Sequence, residues 1–293
     1  MQLVTDNSAD ISAEQLTSLT IDIHRVSLTL TLDGKSYESG VDIETAAFYE
    51  LMEKSEDMPT TSQPSPGDIL KTYREVAEKT GDKEILSVHI SSGLSGTMNA
   101  VRIAAEQAKA DGITVHMIDT MTLSGPQGWQ VEAAARGVQA GWDVERIRTT
   151  VDRVRRASDT IFTLPTLKYL IHGGRISHLQ GLVASTLGIR PIIGVNPEDG
   201  KYETRARIRT YKKAVRSLPD VMAERVEPGS KVRVQPVNAL YEDVMEDMKK
   251  AIDKKFDVEW MPAVPLSPIL GAHTGAGMLG VAYGAVADLP ELP

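Results

Sequence analysis

Several residue types and motifs are absent from this chain, and each absence removes a class of function. The 293 residues include no cysteine, which excludes disulfides, thiolate catalysis and cysteine-based metal sites and agrees with a reducing compartment. The six histidines form no H-x-x-x-H or H-E-x-x-H pattern, so no metal site is indicated. No apolar run approaches the ~18 residues of a membrane-spanning helix, and no basic segment typical of a secretory signal opens the sequence. We therefore expect a soluble, cytoplasmic protein that needs no metal or other cofactor.

Basic residues are too few for a general nucleic-acid-binding protein. The formal net charge is −8, whereas a nucleic-acid footprint is a basic surface. One stretch, 201–216, departs from this balance with seven lysines and arginines against Glu203 alone. It fits either a solvated helix face or a docking surface for an anionic partner, which would be a phosphate-bearing enzyme or an anionic membrane surface.

Three familiar motifs are incomplete. Segment 275–280 matches G-x-G-x-x-G, but fewer residues follow it than a dinucleotide-binding βαβ unit requires. Segment 93–97 lacks a hydrolase elbow because Thr97 stands where G-x-S-x-G needs glycine. The same region holds no lysine for a P-loop. The sequence thus indicates neither a nucleotide site nor a nucleophile elbow.

Strand and helix patterns alternate along the chain, as in an α/β protein. Predicted strands cover 3–5, 23–32, 84–90, 113–118, 160–163, 191–195, 231–237 and 258–261. Predicted helices cover 12–18, 44–54, 68–79, 99–110, 144–156, 176–187, 211–223 and 241–254, and one more runs through 138 after a loop at 119–128. We predict an N-terminal α/β domain over 1–157, with a mostly parallel sheet flanked by helices. A C-terminal α/β domain with a mixed sheet would follow over 158–293.

A hydroxyl-rich stretch, 89–97 (HISSGLSGT), joins the predicted strand 84–90 to the predicted helix 99–110. In open α/β sheets, ligands bind at the carboxyl ends of strands, where helix N-termini favour negative charge. The stretch therefore predicts an oxyanion-binding loop. An ordinary N-cap turn with spare serines is the alternative, and the stretch alone names no ligand.

Three further polar segments are candidates for the same site. Segment 60–68 (TTSQPSPGD) puts hydroxyls ahead of a proline-started helix and is a second candidate oxyanion loop. Segment 172–177 (HGGRIS) places Arg175 where a guanidinium can turn into a cleft, although a glycine cap beside a surface arginine fits the segment better when it is taken alone. Segment 271–277 (GAHTGAG) holds His273 in a predicted small-residue loop, which favours a ligand or switch role over a core position.

Taken together and in order, these segments resemble the DegV family. The matching segments are 3–10 (LVTDNSAD), 61–67 (TSQPSPG), 91–97 (SSGLSGT), 166–170 (TLKYL), 173–176 (GGRI), 190–193 (RPII) and 271–275 (GAHTG). The resemblance covers essentially the whole chain. Members of this family include the fatty-acid-binding subunits of bacterial fatty acid kinase.

The resemblance implies a two-domain DegV-like α/β fold that holds one long-chain fatty acid in its interior. By this resemblance, the carboxylate head group of the fatty acid would be bound by hydroxyl, loop and histidine positions, namely Thr61, Ser62, Ser92, Gly93, Leu94, Ser95 and His273. Arg175 and Arg209 would lie at the rim that faces a kinase. No residue of this chain receives a catalytic role, because nucleotide and Mg²⁺ would belong to the partner.

Three functions are therefore under consideration. In the first, the protein is a carrier that presents the acyl carboxylate to a separate, dihydroxyacetone-kinase-like fatty acid kinase, carries the acyl phosphate and contacts membrane surfaces transiently. Arg175, Arg209 and a protonated His273 would then offset the charge of phosphoryl transfer. In the second, it is a lipid sensor or store without a kinase partner. In the third, it is a hydrolase of acyl esters with Ser92 or Ser95 as nucleophile and His273 as base.

Overall fold

In the computed structural model, which describes residues 1–179, 188–239 and 242–293, strands and helices alternate through the first half of the chain. They are β1 (Gln2–Asp6), α1 (Ala13–Thr17), β2 (Ile23–Val26), β3 (Thr29–Leu32), β4 (Lys35–Glu38), α2 (Thr45–Lys54), β5 (Thr60–Ser62), α3 (Pro66–Thr80), β6 (Glu84–His89), α4 (Thr97–Ala108), β7 (Thr114–Asp119), α5 (Ser124–Gln139) and α6 (Val144–Ala157). The predicted α/β class is confirmed.

Four of these strands form a parallel sheet in the order β2-β1-β6-β7. Neighbouring residues of β1 face opposite helical layers: Leu3 packs in the cluster of α5 and α6, whereas Val4 packs in the cluster of α3 and α4. Both side chains are fully buried, as are Ile85 and Leu86 of β6. Burial on both faces explains why apolar residues stand next to each other in these strands instead of alternating with polar ones. This is the parallel, helix-flanked sheet that the sequence predicts.

The single strand predicted over 23–32 is wrong, because the chain changes sheets within it. β2 pairs in parallel with β1, whereas β3 pairs antiparallel with β4 and β5 in a separate small sheet. Alternation of apolar residues continues through both strands, so the side-chain pattern does not reveal which sheet each strand joins. The consequence is functional, since β3 positions β5, whose residues Thr61 and Ser62 are candidate site residues.

The second half of the chain is built around a seven-stranded mixed sheet. Its elements are β8 (Asp159–Thr163), α7 (Lys168–His172), β9 (Arg190–Val195), β10 (Tyr202–Ile208), α8 (Tyr211–Arg216), α9 (Leu218–Met222), β11 (Lys231–Asn238), α10 (Glu242–Asp253), β12 (Asp257–Trp260), β13 (Val264–Pro265), α11 (Pro268–Thr274) and β14 (Leu279–Ala285). The sheet order is β10-β9-β8-β14-β11-β12, with β13 beside β11. Only the pairings of β11 with β12 and β13 are parallel, and the predicted mixed sheet is confirmed.

Three predictions in this half need correction. The helix predicted over 211–223 is two short helices that meet at Ser217, because Pro219 lacks the amide hydrogen that a continuous helix would use. Of the helix predicted over 176–187, residues 180–187 lie outside the described residues, and the segment Arg175–His178 is a 3₁₀ turn. The sequence reasoning also missed β14, a central strand between β8 and β11.

The largest apolar cluster draws on both halves of the chain. It joins Leu30 and Phe48 to Phe162, Ile193 and residues of α11, so it lies between the small sheet and the mixed sheet. The predicted division between residues 157 and 158 falls between α6 and β8 and stays a prediction. No described helix is both long enough and apolar enough to cross a bilayer.

Candidate functional site

The parallel sheet has a point at which its strand order reverses. From β1 the chain moves to β2 on one side, and it later adds β6 and β7 on the other side. The carboxyl ends of β1 and β6 therefore flank the crevice where open α/β sheets bind ligands. The hydroxyl stretch begins at this edge, because β6 ends at His89.

The hydroxyl loop between β6 and α4 is held in shape by its own hydrogen bonds. The amide groups of Gly93 and Leu94 donate to the Ser91 side chain and carbonyl at 3.1 and 3.0 Å. Ser95 Oγ lies 2.9 Å from Thr97 Oγ1 and accepts from the Thr97 amide at 3.3 Å. The Ser92 side chain is exposed and has no hydrogen-bond partner among the described residues. Ser92 is therefore the loop hydroxyl that is free for a ligand, whereas the two predicted amide donors already have acceptors within the loop.

The same loop forms one wall of an open cleft of about 370 Å³. The opposite wall comes from the glycine turn after α7 and includes Arg175. The guanidinium of Arg175 donates to the Gly173 carbonyl at 2.6 Å, which folds it back over the turn. Gly174 makes this turn possible with a φ of +76°, in the left-handed region that glycine adopts readily. Both interpretations of this segment fit the structure, since Gly173 caps α7 and Arg175 lines the cleft.

His273 lies beside this cleft, on α11. Its Nε2 atom is 2.8 Å from Thr61 Oγ1, so the second hydroxyl segment meets the histidine directly. The Nδ1 atom is buried and has no hydrogen-bond partner among the described residues. The predicted loop around His273 is wrong, since the ring is carried in the last turn of a helix that packs against α7, α2 and β5. Pro268 at the start of α11 explains the helix, because proline is pre-organised for a first helical turn.

The electrostatics of His273 also differ from the sequence-based expectation. Burial, together with the nearby positive charge of Arg175 and with His172, lowers the pKa of His273 to about 4. The ring is therefore neutral near pH 7. The prediction that a protonated His273 offsets negative charge is wrong. Positive charge at the cleft comes from Arg175 instead.

Close glycine contacts bring the separate segments together. A Cβ atom on Gly173 would lie 2.1 Å from His273 Nδ1, so the glycine turn packs directly on the histidine ring. A Cβ atom on Gly96 would lie 1.9 Å from Gln63 Oε1, which places the second hydroxyl segment against the first. The hydroxyl loop, the 60–68 segment, the glycine turn and α11 therefore converge at one mouth.

Two predicted residues lie away from this centre. Ser62 is exposed at the end of β5, where it pairs in register with Thr29. Arg209 is exposed after β10 and does not line the cleft, and it has no ion-pair partner among the described residues. The roles predicted for all nine site residues stay predictions.

A narrow apolar void lies beside the histidine. Thr274, the next residue after His273, lines it together with Leu270, Phe162, Tyr202 and others. Its volume is about 10 Å³, which is room for about one water molecule. A larger apolar ligand would have to displace side chains such as Met278, whose flexible thioether adapts readily to new packing.

Among the described residues, the mouth has neither the contacts of a hydrolytic triad nor a metal-binding cluster. Within the described ranges, His273 forms no hydrogen bond to a serine and no carboxylate orients its Nδ1, as a hydrolytic triad would require. No group of three or more histidine or acidic residues in the described part of the chain could hold a metal ion.

Two residues that hold the mouth were missed in the sequence. Both carboxylate oxygens of Asp119 accept from the Ser92 amide, at 3.2 and 3.3 Å. Gln63 fills the space against Gly96. Asp119 ends strand β7, so its place at the carboxyl edge of the sheet was the available signal.

The fold and the mouth thus define a two-domain α/β protein with a polar entrance formed by hydroxyls, one histidine and one arginine. The DegV family model, described as an uncharacterised protein family, matches residues 1–285. The chain belongs to the DegV family.

Curated relatives agree along nearly the whole length. A DegV domain-containing protein of Listeria innocua is 31% identical over 281 residues, which cover 96% of this chain and 97% of the relative. One from Staphylococcus aureus is 32% identical over 279 residues, with coverages of 95% and 96%.

Solved structures share the fold. A DegV family protein from Thermus thermophilus, described as binding fatty acid, is 27% identical with a TM-score of 0.84 and coverages of 97% and 99%. DegV of Bacillus subtilis, described as a fatty acid binding protein, is 26% identical with a TM-score of 0.83 and coverages of 97% and 98%. The Streptococcus pneumoniae fatty acid kinase B3 protein loaded with linoleic acid is 21% identical, with a TM-score of 0.81 and coverages of 97% and 99%, which shows the fold alone.

Proposed function

We propose that this protein binds one long-chain fatty acid, presents its carboxylate at the mouth to a separate ATP-dependent fatty acid kinase, and carries the acyl phosphate onward. The observation that carries the proposal is that one short helix, α11, holds His273, which is hydrogen-bonded to Thr61, and also lines the apolar void through Leu270 and Thr274. Helix α11 supplies both parts, with His273 at the polar mouth and Leu270 and Thr274 on the wall of the void. A molecule with a polar head and an apolar tail matches this arrangement.

The energetics favour such a ligand. Transfer of about fourteen methylene groups from water contributes roughly 11 kcal/mol at ~0.8 kcal/mol each, before the costs of ordering the ligand and moving side chains. A carboxylate taken from water needs hydrogen bonds in return. The free hydroxyl of Ser92, the Thr61–His273 pair and the Arg175 guanidinium would supply them.

Relatives support the same ligand. The structures from Thermus thermophilus and Bacillus subtilis are described as fatty-acid-binding proteins, and their identities of 27% and 26% extend over almost the whole chain. We extend the ligand class from them to this protein. A kinase partner, the acyl phosphate and a transient membrane contact are further parts of the proposal, supported by the basic stretch 201–216, which supplies the positive charge that an anionic partner or membrane surface needs.

Native mass spectrometry tests the binding step. Purified protein incubated with myristic, palmitic or oleic acid should give a one-to-one adduct, and Arg209→Ala, which lies outside the cleft, should give the same adduct. Repeated failure to load any of the three acids contradicts fatty-acid binding. Formation of acyl phosphate with ATP and a dihydroxyacetone-kinase-like enzyme would then separate a carrier from a store, since a store would bind the lipid without supporting that reaction.

A further inference from the structure

A buried chain of polar side chains runs beneath the mouth, outside the residues assigned to the ligand. The hydroxyl of Tyr73 lies 2.7 Å from Ser87 Oγ, and Ser87 Oγ lies 2.7 Å from His89 Nε2. His89 Nδ1 lies 3.0 Å from Asp6 Oδ2. All four side chains are fully buried.

Asp6 is the fixed end of this chain. Besides His89, its carboxylate accepts from the amide of Ile90 at 2.9 Å, from the amide of Ser8 at 3.0 Å and from Gln127 Nε2 at 3.2 Å. Burial alone would raise the pKa of Asp6, but His89 and the other donors together hold it below its ordinary value. A carboxylate with so many donors is rigidly placed, because a buried charge that loses a donor is costly.

One arrangement of protons satisfies all four of these hydrogen-bonded side chains. Tyr73 donates to Ser87, Ser87 donates to His89 Nε2, and His89 Nδ1–H donates to Asp6. Burial raises the pKa of Tyr73 to about 12, so its hydroxyl keeps the proton that begins the sequence. Since each hydroxyl is both donor and acceptor, removal of one member reorients the others.

The hydrogen-bonded side chains lie on elements that adjoin the two segments of the polar mouth. His89 and Ile90 lead directly into the hydroxyl loop, and the Ile90 amide is bound by Asp6. Tyr73 belongs to α3, whose N-terminus, capped by Ser65, carries the 60–68 segment. One continuous set of hydrogen bonds therefore connects the strand before one segment with the helix after the other.

We infer that Asp6, His89, Ser87 and Tyr73 are positioning residues that hold the hydroxyl loop and the 60–68 segment in register with each other. None of them reaches the cleft, so each acts through the backbone that it anchors. The geometric part of this inference stands on the ligand-free structure, whereas its effect on fatty-acid affinity rests on the function proposed above.

The experiment compares Tyr73→Phe with Ile69→Val by amide NMR of the ligand-free protein. Ile69 is fully buried on the same helix, one turn closer to the 60–68 segment, and makes no polar contact in the chain. Tyr73→Phe should shift the backbone amide signals of Gln63 and Ser92. It should also shift the imidazole N–H signal of His89 Nδ1. Ile69→Val should leave the His89 signal in place, because a lost methyl group changes packing only.

A second control and a titration separate this inference from the proposed function. Tyr283→Phe removes another buried tyrosine hydroxyl, 3.2 Å from Asp159 in the mixed sheet, and should shift neither segment. Fatty-acid affinity should fall roughly threefold to tenfold in Tyr73→Phe, as expected for one lost hydrogen bond, and not in Tyr283→Phe. Equal NMR shifts at Gln63 and Ser92 in Tyr73→Phe and Ile69→Val, or none in either, overturn the inference. A wild-type protein that fails to bind fatty acid contradicts the proposed function alone, since the ligand-free shifts are measured independently.

Discussion

Replacement of Gly173 by alanine tests the contact between the glycine turn and His273. The backbone at Gly173 has a φ of −73°, so alanine is compatible with its conformation. The added Cβ would nevertheless lie 2.1 Å from His273 Nδ1 and 2.8 Å from Cε1. Ordinary van der Waals contact begins at 3.4 Å, so the His273 ring and the glycine turn must move apart by about 1.3 Å. A displacement of that size compresses or breaks the 2.8 Å bond between His273 and Thr61.

The magnitude follows from three terms. Overpacking of a close contact costs about 1–3 kcal/mol, and the lost hydrogen bond costs about 0.5–1.5 kcal/mol. The reduced entropy of the unfolded chain offsets about 0.4–1 kcal/mol when alanine replaces glycine. We expect Gly173→Ala to lower the free energy of unfolding by about 0.5–4 kcal/mol, and to weaken fatty-acid binding about fivefold or more.

Chemical denaturation and fatty-acid titration measure these effects, with Gly67→Ala as the matched control. A Cβ on Gly67 would meet only Ser65 Oγ at 3.6 Å, so this variant should be as stable as the wild type or slightly more so. In a His273→Ala background the clash and the histidine hydrogen bond are both gone, so Gly173→Ala should cost less by about 1.5–4.5 kcal/mol. If Gly173→Ala matches Gly67→Ala in both stability and affinity, the reasoning about this contact is refuted.

Three further predictions address the mouth and the buried carboxyl group of Asp10. Ser92→Ala should weaken fatty-acid binding by about 1–3 kcal/mol, whereas Arg209→Ala should spare binding and impair acyl phosphate formation; equal losses in both assays for both variants would contradict this division. Because the pKa of His273 is lowered to about 4, stability should fall as the pH drops from about 6.5 towards 4, and His273→Gln should flatten that part of a denaturation series. Burial raises the pKa of Asp10 to about 7, although Ser124 and the Ser267 amide donate to it, so the folded state keeps its proton and stability should fall as the pH rises from about 4 through 7. Asp10→Asn should remove that loss, and an unchanged slope would show that another group titrates.

The elements that the sequence predicted best are those with a strong periodic signal. In α6 the apolar positions Ile147, Val151 and Val154 repeat at helical spacing and are all buried, and Asp143 caps the helix as expected for its start. The parallel strands β1 and β6 were also predicted, because burial on both faces leaves adjacent apolar residues, Leu3 with Val4 and Ile85 with Leu86.

Strand β14 was missed because its glycines suggest a loop. Gly280 is required there for packing: a Cβ would lie 2.6 Å from Phe162 Cβ and 2.7 Å from the Ile161 carbonyl of the neighbouring strand. Gly284 similarly packs on the Ala157 carbonyl. Such close approaches depend on the partner strand, which no local pattern specifies.

The candidate site was predictable as a set of segments but not as a geometry. Ser92 and Arg175 were expected near a cleft, and both line one. The pairing of Thr61 with His273 joins residues more than 200 positions apart, and the neutrality of the ring follows from burial in the folded state. Contacts and pKa values of this kind depend on tertiary packing, so they lie beyond what motifs can indicate.

The charges at the mouth divide the proposed task between two arginines. Of the groups assigned to the carboxylate of the ligand, the Ser92 and Thr61 hydroxyls and the buried His273 ring are neutral, and the guanidinium of Arg175 is charged. One cation balances a carboxylate with one negative charge, but an acyl phosphate carries more charge than the acid it replaces. Arg209 is exposed outside the cleft with no ion-pair partner among the described residues, so it is available to the additional charge and to an anionic partner. In the proposed function, tight binding of the acid and presentation of the phosphate therefore call on different residues, and substitution at Arg209 is the change that should separate the two activities.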